Sequence, residues 1–269
     1  MEDMKEDITI KYVMLSNMKG IGGVTQNVLL DWSGGIRPLF DIDEDALMSS
    51  SLRTKIGKEK ISRFLSQRYD AALEGAAKGI VKAASFSGTG ILVREDRDYP
   101  KRLRDIKDMP IVLYTKGELS INSVRESAAI VGARRCSVEG KYEAVRISAE
   151  TVSEGGAVIS GMAKGIDSYA HTAALKANGY TIAVFGNGAD ICYPKEHEKL
   201  YEAIIKKGCI VTEYPPGTSP RPYNFPRRNR LIAGLSDRLY VIDVRQRSGT
   251  VSTVEYAKKY GREVMQLSN

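Results

Sequence analysis

The chain has 269 residues, of which 42% are hydrophobic and 27% charged. That balance excludes a disordered polymer, and at ~100–200 residues per domain it predicts one large domain and one small one. The net charge is +7, split between −5 over residues 1–50 and +12 over the rest; an acidic front before a basic body suits a polyanion partner, and equally an ordinary basic cytosolic protein.

The first elements read as helices. Ile8 to Ser16 and Val24 to Trp32 flank Met18-Lys19-Gly20-Ile21-Gly22-Gly23. This is a helix–hairpin–helix pattern, in which glycine permits a tight turn and leaves backbone N–H groups open to phosphate. A plain turn between packed helices fits the same residues, and the net acidity of the segment favours it. Residues 41–60 read as a charged, serine-containing connector, followed by a helix to about Lys78. Gly79 to Val93 reads as short extended structure. Tyr99-Pro100 and Met109-Pro110 punctuate the chain, and Ile111-Val112-Leu113-Tyr114 is a strand candidate. The expected organisation is a helical domain over 1–78, an extended connector over 79–126 and a main domain over 127–269. No run of ~18 apolar residues is present, so no membrane span is expected. The acidic N-terminus lacks the apolar core of a secretory signal. Cys136, Cys192 and Cys209 are scattered, with no CxxC or metal spacing, and suit reduced thiols in the cytoplasm.

From Ser127 the texture changes. Apolar strands at 128–131, 157–160, 181–185, 209–212, 239–242 and 263–265 alternate with helical runs near 137–154, 166–178, 196–207, 226–236 and 250–260. Near-continuous apolar strands separated by helices predict a parallel sheet covered on both faces, a doubly wound Rossmann-like α/β domain. Such folds bind ligands at the carboxyl ends of their strands.

The loops at those ends carry the chemistry. Val131-Gly132-Ala133-Arg134-Arg135-Cys136-Ser137 ends a strand, presents two arginines and offers Ser137 as a helix cap. Ser160-Gly161-Met162-Ala163-Lys164-Gly165-Ile166-Asp167 adds a glycine loop with a lysine. Phe185-Gly186-Asn187-Gly188 and Gln246-Arg247-Ser248-Gly249-Thr250 follow. Four glycine-bearing loops at one edge point to phosphate, although tight βα turns alone would also use them. Neither G-x-G-x-x-G after the first strand nor G-x-x-x-x-G-K-[ST] is present, which disfavours a dinucleotide enzyme or a P-loop NTPase. Arg221 to Arg230 holds four arginines and no acid, with Tyr223 and Phe225 interleaved. Arginine forks bind phosphate and aromatics stack on bases. His171 reads as a packing or hydrogen-bonding residue and His197 as solvated. Asp167, Asp190, Glu213 and Asp243 fall near strand ends, where they could bind ribose, hold magnesium, cap helices or pair with the arginines.

Several blocks resemble the DNA-processing protein A family (DprA, also called Smf). They are Ile130-Val131-Gly132-Ala133-Arg134, Ile159 through Asp167, Ala170-His171, and Phe225 through Ser236. Asp98 to Leu103, Leu113 to Gly117, Gly179 to Val184, Tyr193-Pro194 and Ser248 to Thr250 fit in the same order, over about residues 8–267. The resemblance implies a Rossmann-like domain behind a small N-terminal helical domain of helix–hairpin–helix or SAM-like type. It implies sequence-independent binding of single-stranded DNA, a homodimer, and loading of RecA recombinase during natural transformation. The DNA-binding residues implied are Gly132, Arg134, Ser160, Gly161, Lys164, Gly165, Arg228, Asn229, Arg230, Ser248 and Gly249. No catalytic residue, metal or cofactor is expected. Two departures stand out: Gly-Ala-Arg replaces the common Gly-Ser-Arg, and the chain stops at Gln266-Leu267-Ser268-Asn269 without the winged helix often found in the family. The alternative is an enzyme of the related phosphoribohydrolase-like superfamily acting on a nucleoside phosphate. Arg247 through Thr253 lacks that group's Pro-Gly-Gly-x-Gly-Thr-x-x-Glu pattern, with Glu255 two residues late.

Overall fold

The computed structural model describes residues 2–104, 106–243 and 249–267. The chain divides into two compact units, one of residues 1–87, 91–99 and 107–113, the other of 88–90, 100–106 and 114–269.

In the first unit, α1 (Glu2–Asn17) and α2 (Gly23–Ser33) flank the expected turn. Gly20 takes φ +76°, a left-handed conformation suited to glycine. The buried Gln26 amide donates to Leu15 O at 3.1 Å and Ile21 O at 2.8 Å, satisfying the turn from inside. The stretch expected as a connector is helical instead. After α3 (Ile36–Asp41) come α4 (Glu44–Ser49), α5 (Leu52–Ile56) and α6 (Lys58–Gln67). These short helices persist because each buries apolar residues beneath a charged surface: Leu39, Phe40, Leu47, Leu52 and Phe64 are all inaccessible. Phe40 meets Phe64 edge to face at 5.7 Å. Asp43 caps α4 at Ala46 N. Helix α7 (Ala71–Ser87) starts on an Asp70 cap and continues past Lys78, so the extended structure expected from Gly79 begins only after Ser87. Its alanine-rich sequence tolerates the internal glycines.

The sheet has eight strands: β1 (Gly90–Val93), β2 (Val112–Gly117), β3 (Ser127–Gly132), β4 (Ala157–Ser160), β5 (Tyr180–Val184), β6 (Cys209–Thr212), β7 (Arg238–Ile242) and β8 (Glu263–Leu267). Their order is β1-β2-β6-β5-β4-β3-β7-β8. The run from β6 to β8 is parallel, as expected. β2 pairs antiparallel with β6, Tyr114 opposite Thr212, so the sheet is mixed. The segment expected as a connector thus contributes strands, because Val112 to Thr115 is buried on both faces.

Helices α8 (Lys101–Arg104), α9 (Val138–Ser153), α10 (Ile166–Lys176), α11 (Glu198–Lys207), α12 (Asn224–Leu235) and α13 (Val251–Lys259) complete the chain. Ile130, Ile147, Val158, Ile166 and Ile242 form a core beneath α9 and α10. Phe185, Tyr201, Ile204 and Ile210 form a second beneath α11. From β3 the chain steps outward through β4, β5 and β6, then returns to β7 and β8 on the other side. The topological switch point therefore lies between β3 and β7, with the loops after the strands at one edge. Among the described residues no helix is long and apolar enough to cross a membrane.

Candidate nucleic-acid interface

The loop after β3 runs tightly against its neighbours. A Cβ on Gly132 would collide with Ile242 O, so only glycine lets β3 and β7 close at the switch point. Arg134 and Arg135 are exposed. Ser137 caps α9, accepting from Gly140 N at 2.9 Å. Its own N–H and hydroxyl are taken by Asp243 Oδ2, at 2.6 and 2.8 Å. Asp243 reaches this position from the end of β7 in a left-handed conformation, φ +57°. A carboxylate of the chain thus sits where an incoming anion would meet the start of α9.

The loop after β4 repeats the arrangement. Asp167, in the first turn of α10, accepts from Gly161 N at 3.1 Å and Ala163 N at 3.3 Å. Gly165 has φ +78°, and a Cβ there would strike Ala133 O, so this glycine locks the β4 loop to the β3 loop. Ser160 is buried and donates to Ile130 O at 2.6 Å. Lys164 projects outward, 57% exposed, and pairs with Glu196.

The arginines of α12 divide. Arg228, Leu231, Ile232 and Leu235 follow i, i+3, i+4, i+7 spacing and are all buried. The Arg228 guanidinium donates to Gly161 O at 3.1 Å and to Val184 O. Burial pulls its pKa down to about 10, opposed by the nearby Asp167 charge, so it remains cationic at neutral pH. Burial likewise pushes Asp167 up, opposed by Arg228 and the two N–H donors. Arg230 is also buried and pairs with buried Glu213 at 2.6 Å. Asn229 donates to Gly249 O at 3.0 Å and Ser252 Oγ at 2.9 Å, tying α12 to the start of α13. Arg227 points to solvent, 63% exposed, 3.4 Å from the same Glu213.

The expectation that Arg228 and Arg230 face a ligand therefore meets a different arrangement. Arg228 Nη1 is taken by carbonyls and Arg230 Nη2 by Glu213, while the buried Arg228 Nε has no hydrogen-bond partner; the helical phase that buries Leu231 and Leu235 also buries Arg228. Gly132, Gly161 and Gly165 shape the edge by allowing close backbone approach, and Gly249 lies exposed beside it. Ser248 lies outside the described residues. Arg227 belongs to the arginine cluster legible in the sequence but not to the DNA-binding residues the resemblance implies, and the phase of the apolar stripe on α12 singles it out; no local pattern signals Glu196. His171 behaves as read. Thr181 Oγ1 donates to Val158 O at 2.8 Å, so His171 Nδ1–H donates to Thr181 at 2.7 Å. Burial pulls its pKa down to about 3, helped by the His197 and Arg228 charges. Among the described residues no group of three or more His, Cys, Asp or Glu is placed to hold a metal ion.

The result is an edge with a buried polar floor and an exposed cationic rim of Arg134, Arg135, Lys164 and Arg227. Arg134 lies near enough for its positive charge to help lower the Arg228 pKa, so the β3 loop and the floor of α12 are neighbours. An aromatic pair lies on the same side of the sheet: Tyr193 stacks on Phe225 at 5.4 Å, with the Arg228 guanidinium 5.9 Å from the Phe225 ring. Such an edge can hold phosphates through side chains rather than through backbone cradles.

The family model of DNA recombination-mediator protein A matches residues 90–269. The Smf protein of Synechocystis is 40% identical over 181 residues, 66% of this chain and 46% of that protein. This chain thus spans about half the length of that relative, and 60% of the DprA of Streptococcus pneumoniae. The solved DprA structure from Streptococcus pneumoniae superposes with a TM-score of 0.79 at 29% identity, covering 97% of this chain and 87% of that one. DNA processing protein A from Helicobacter pylori, solved for its single-stranded DNA binding mode, gives a TM-score of 0.62 at 29% identity, covering 68% of this chain and 83% of that one.

Proposed function

The chain belongs to the DNA recombination-mediator protein A family, and from that premise we propose that it binds single-stranded DNA without sequence preference at the carboxyl edge of its sheet. The carrying observation is the exposed rim of Arg134, Lys164 and Arg227, raised on three separate elements above a floor held by its own ion pairs. Cations from several elements fit a flexible backbone better than a single small anion does. The Helicobacter pylori relative, studied for its single-stranded DNA binding, supports the same ligand class.

In this reading Arg134, Lys164 and Arg227 contact phosphate. Gly132, Ser160, Gly161, Gly165, Arg228, Asn229 and Arg230 hold the loops that present them, and Gly249 borders the strand's path. Lys164 exchanges Glu196 for phosphate. We further propose, on the family relation, that the chain acts without catalysis as a homodimer handing DNA to RecA recombinase. Asp167 and Asp243 argue against a nucleoside-phosphate enzyme, because they already engage the backbone N–H groups such a ligand would need.

The test is fluorescence anisotropy with labelled oligo-dT over a salt series, with duplex DNA as competitor. The expected result is affinity that falls steeply with salt, by roughly 0.7 in log–log slope per phosphate contacted, and that resists the duplex. Absence of binding at low salt overturns the proposal.

A further inference from the structure

The hairpin between α1 and α2 read as a plain turn because its segment is acidic. The fold changes its surroundings. Residues 51–68 hold six Lys and Arg and a single acid, Glu59. Of those cations only Arg68 is buried, donating to Ile42 O at 2.6 Å. The basic segment lies directly against the hairpin. Gln67 clamps Lys19 twice, its Oε1 accepting from Lys19 N at 2.8 Å and its Nε2 donating to Lys19 O at 3.1 Å. The Arg63 side chain lies over Gly20, its Cδ 3.0 Å from where a Cβ would stand, and the φ of +76° at Gly20 favours glycine there. Lys60, Arg63 and Gln67 follow i, i+3, i+7 spacing on α6 and share the face that grips the hairpin. Lys19, Lys60 and Arg63 are all exposed. Glu59 pairs with Arg63 at 2.7 Å, both well exposed, and such surface pairs exchange readily for a stronger anion.

We propose that the hairpin tip and the basic face of α6, through Lys19, Lys60 and Arg63, form a second contact surface for the sugar–phosphate backbone of DNA. Three cations from two elements sit beside an exposed turn, Lys55 and Lys58 extend the same charge along the chain, and Glu59 is the one acid among them. The turn is braced by Gln67 and Gln26, so the cations stand on a rigid base rather than on a loose loop. This surface stands independently of the sheet edge.

The experiment uses the full chain in the same anisotropy salt series, with Lys19→Gln/Lys60→Gln and Lys19→Glu/Lys60→Glu introduced into wild type and into Arg134→Ala/Arg227→Ala. Circular dichroism melts check folding, and the milder glutamine pair guards against misfolding of the reversal. The glutamine pair should lower the log–log salt slope by about 1.4, the loss of two single-strand phosphate contacts. The glutamate pair should abolish the binding that survives in the edge variant. Unchanged affinity and slope in both backgrounds overturn the proposal. If the edge variant binds as wild type while the glutamate pair abolishes binding, the sheet-edge reading fails and this one stands.

Discussion

Arg227 and Arg228 are neighbours in sequence and belong to different physical regions of the molecule. Arg227 is on the rim, 63% exposed, in a loose pair with Glu213. Arg228 is in the floor, buried, bonded to two carbonyls and facing Asp167. A run of arginines is therefore not a run of free charges. Removing a charge from water costs several kcal/mol, which Arg228 offsets through its Nη1 bonds and the nearby Asp167 charge, although its Nε has no partner. A rim arginine keeps its hydration and its reach and can exchange partners. The floor sets the shape of the edge, and the rim supplies its attraction for an anion.

Four variants probe that division. Arg228→Met should have the largest effect, because it removes the cation that opposes the buried Asp167 charge and orphans the carbonyls of Gly161 and Val184; a loss of about 3–5 kcal/mol in stability is expected, read by chemical denaturation. A stability within 1 kcal/mol of wild type would place Arg228 outside the floor. Gly165→Ala comes next. It strains a left-handed position and drives a methyl into Ala133 O, for a loss of roughly 1–3 kcal/mol, and weakened DNA binding would follow from the displaced loops. Arg134→Ala/Arg227→Ala should do the reverse of Arg228→Met: melting stays near wild type, within about 0.5 kcal/mol, while the salt slope for oligo-dT drops by about 1.4. A large stability loss there would erase the distinction between rim and floor. The smallest effect is expected for Glu196→Gln, which frees Lys164 and should tighten DNA binding about two- to fivefold at low salt, the range of an exposed ion pair. Unchanged affinity would mean that Lys164 is not a phosphate contact.

Much of the main domain was readable beforehand. Apolar runs such as Ala157 to Ser160 and Cys209 to Thr212 coincide with β4 and β6, because a strand buried on both faces has to be apolar throughout. The helical unit was read less well. Residues 41–60 look like a linker by composition, yet Leu47 and Leu52 anchor successive short helices, a pattern too brief for periodicity to register. β2 joined the sheet antiparallel for a similar reason: an isolated apolar run does not state its partner.

By itself the sequence determined the alternation of strands and helices, the glycine loops at one edge of the sheet, the basic balance and the family resemblance. These depend on side-chain type and local order, which the chain carries along its length. Only the tertiary structure decided which arginines are exposed and which are buried, that Asp167 and Asp243 take the N–H groups of the glycine loops, and that a basic helix lies against the hairpin of an acidic segment. Those outcomes depend on desolvation and on pairings between residues far apart in sequence, such as Asp243 with Ser137 and Gln67 with Lys19, and they exist only once the chain has folded.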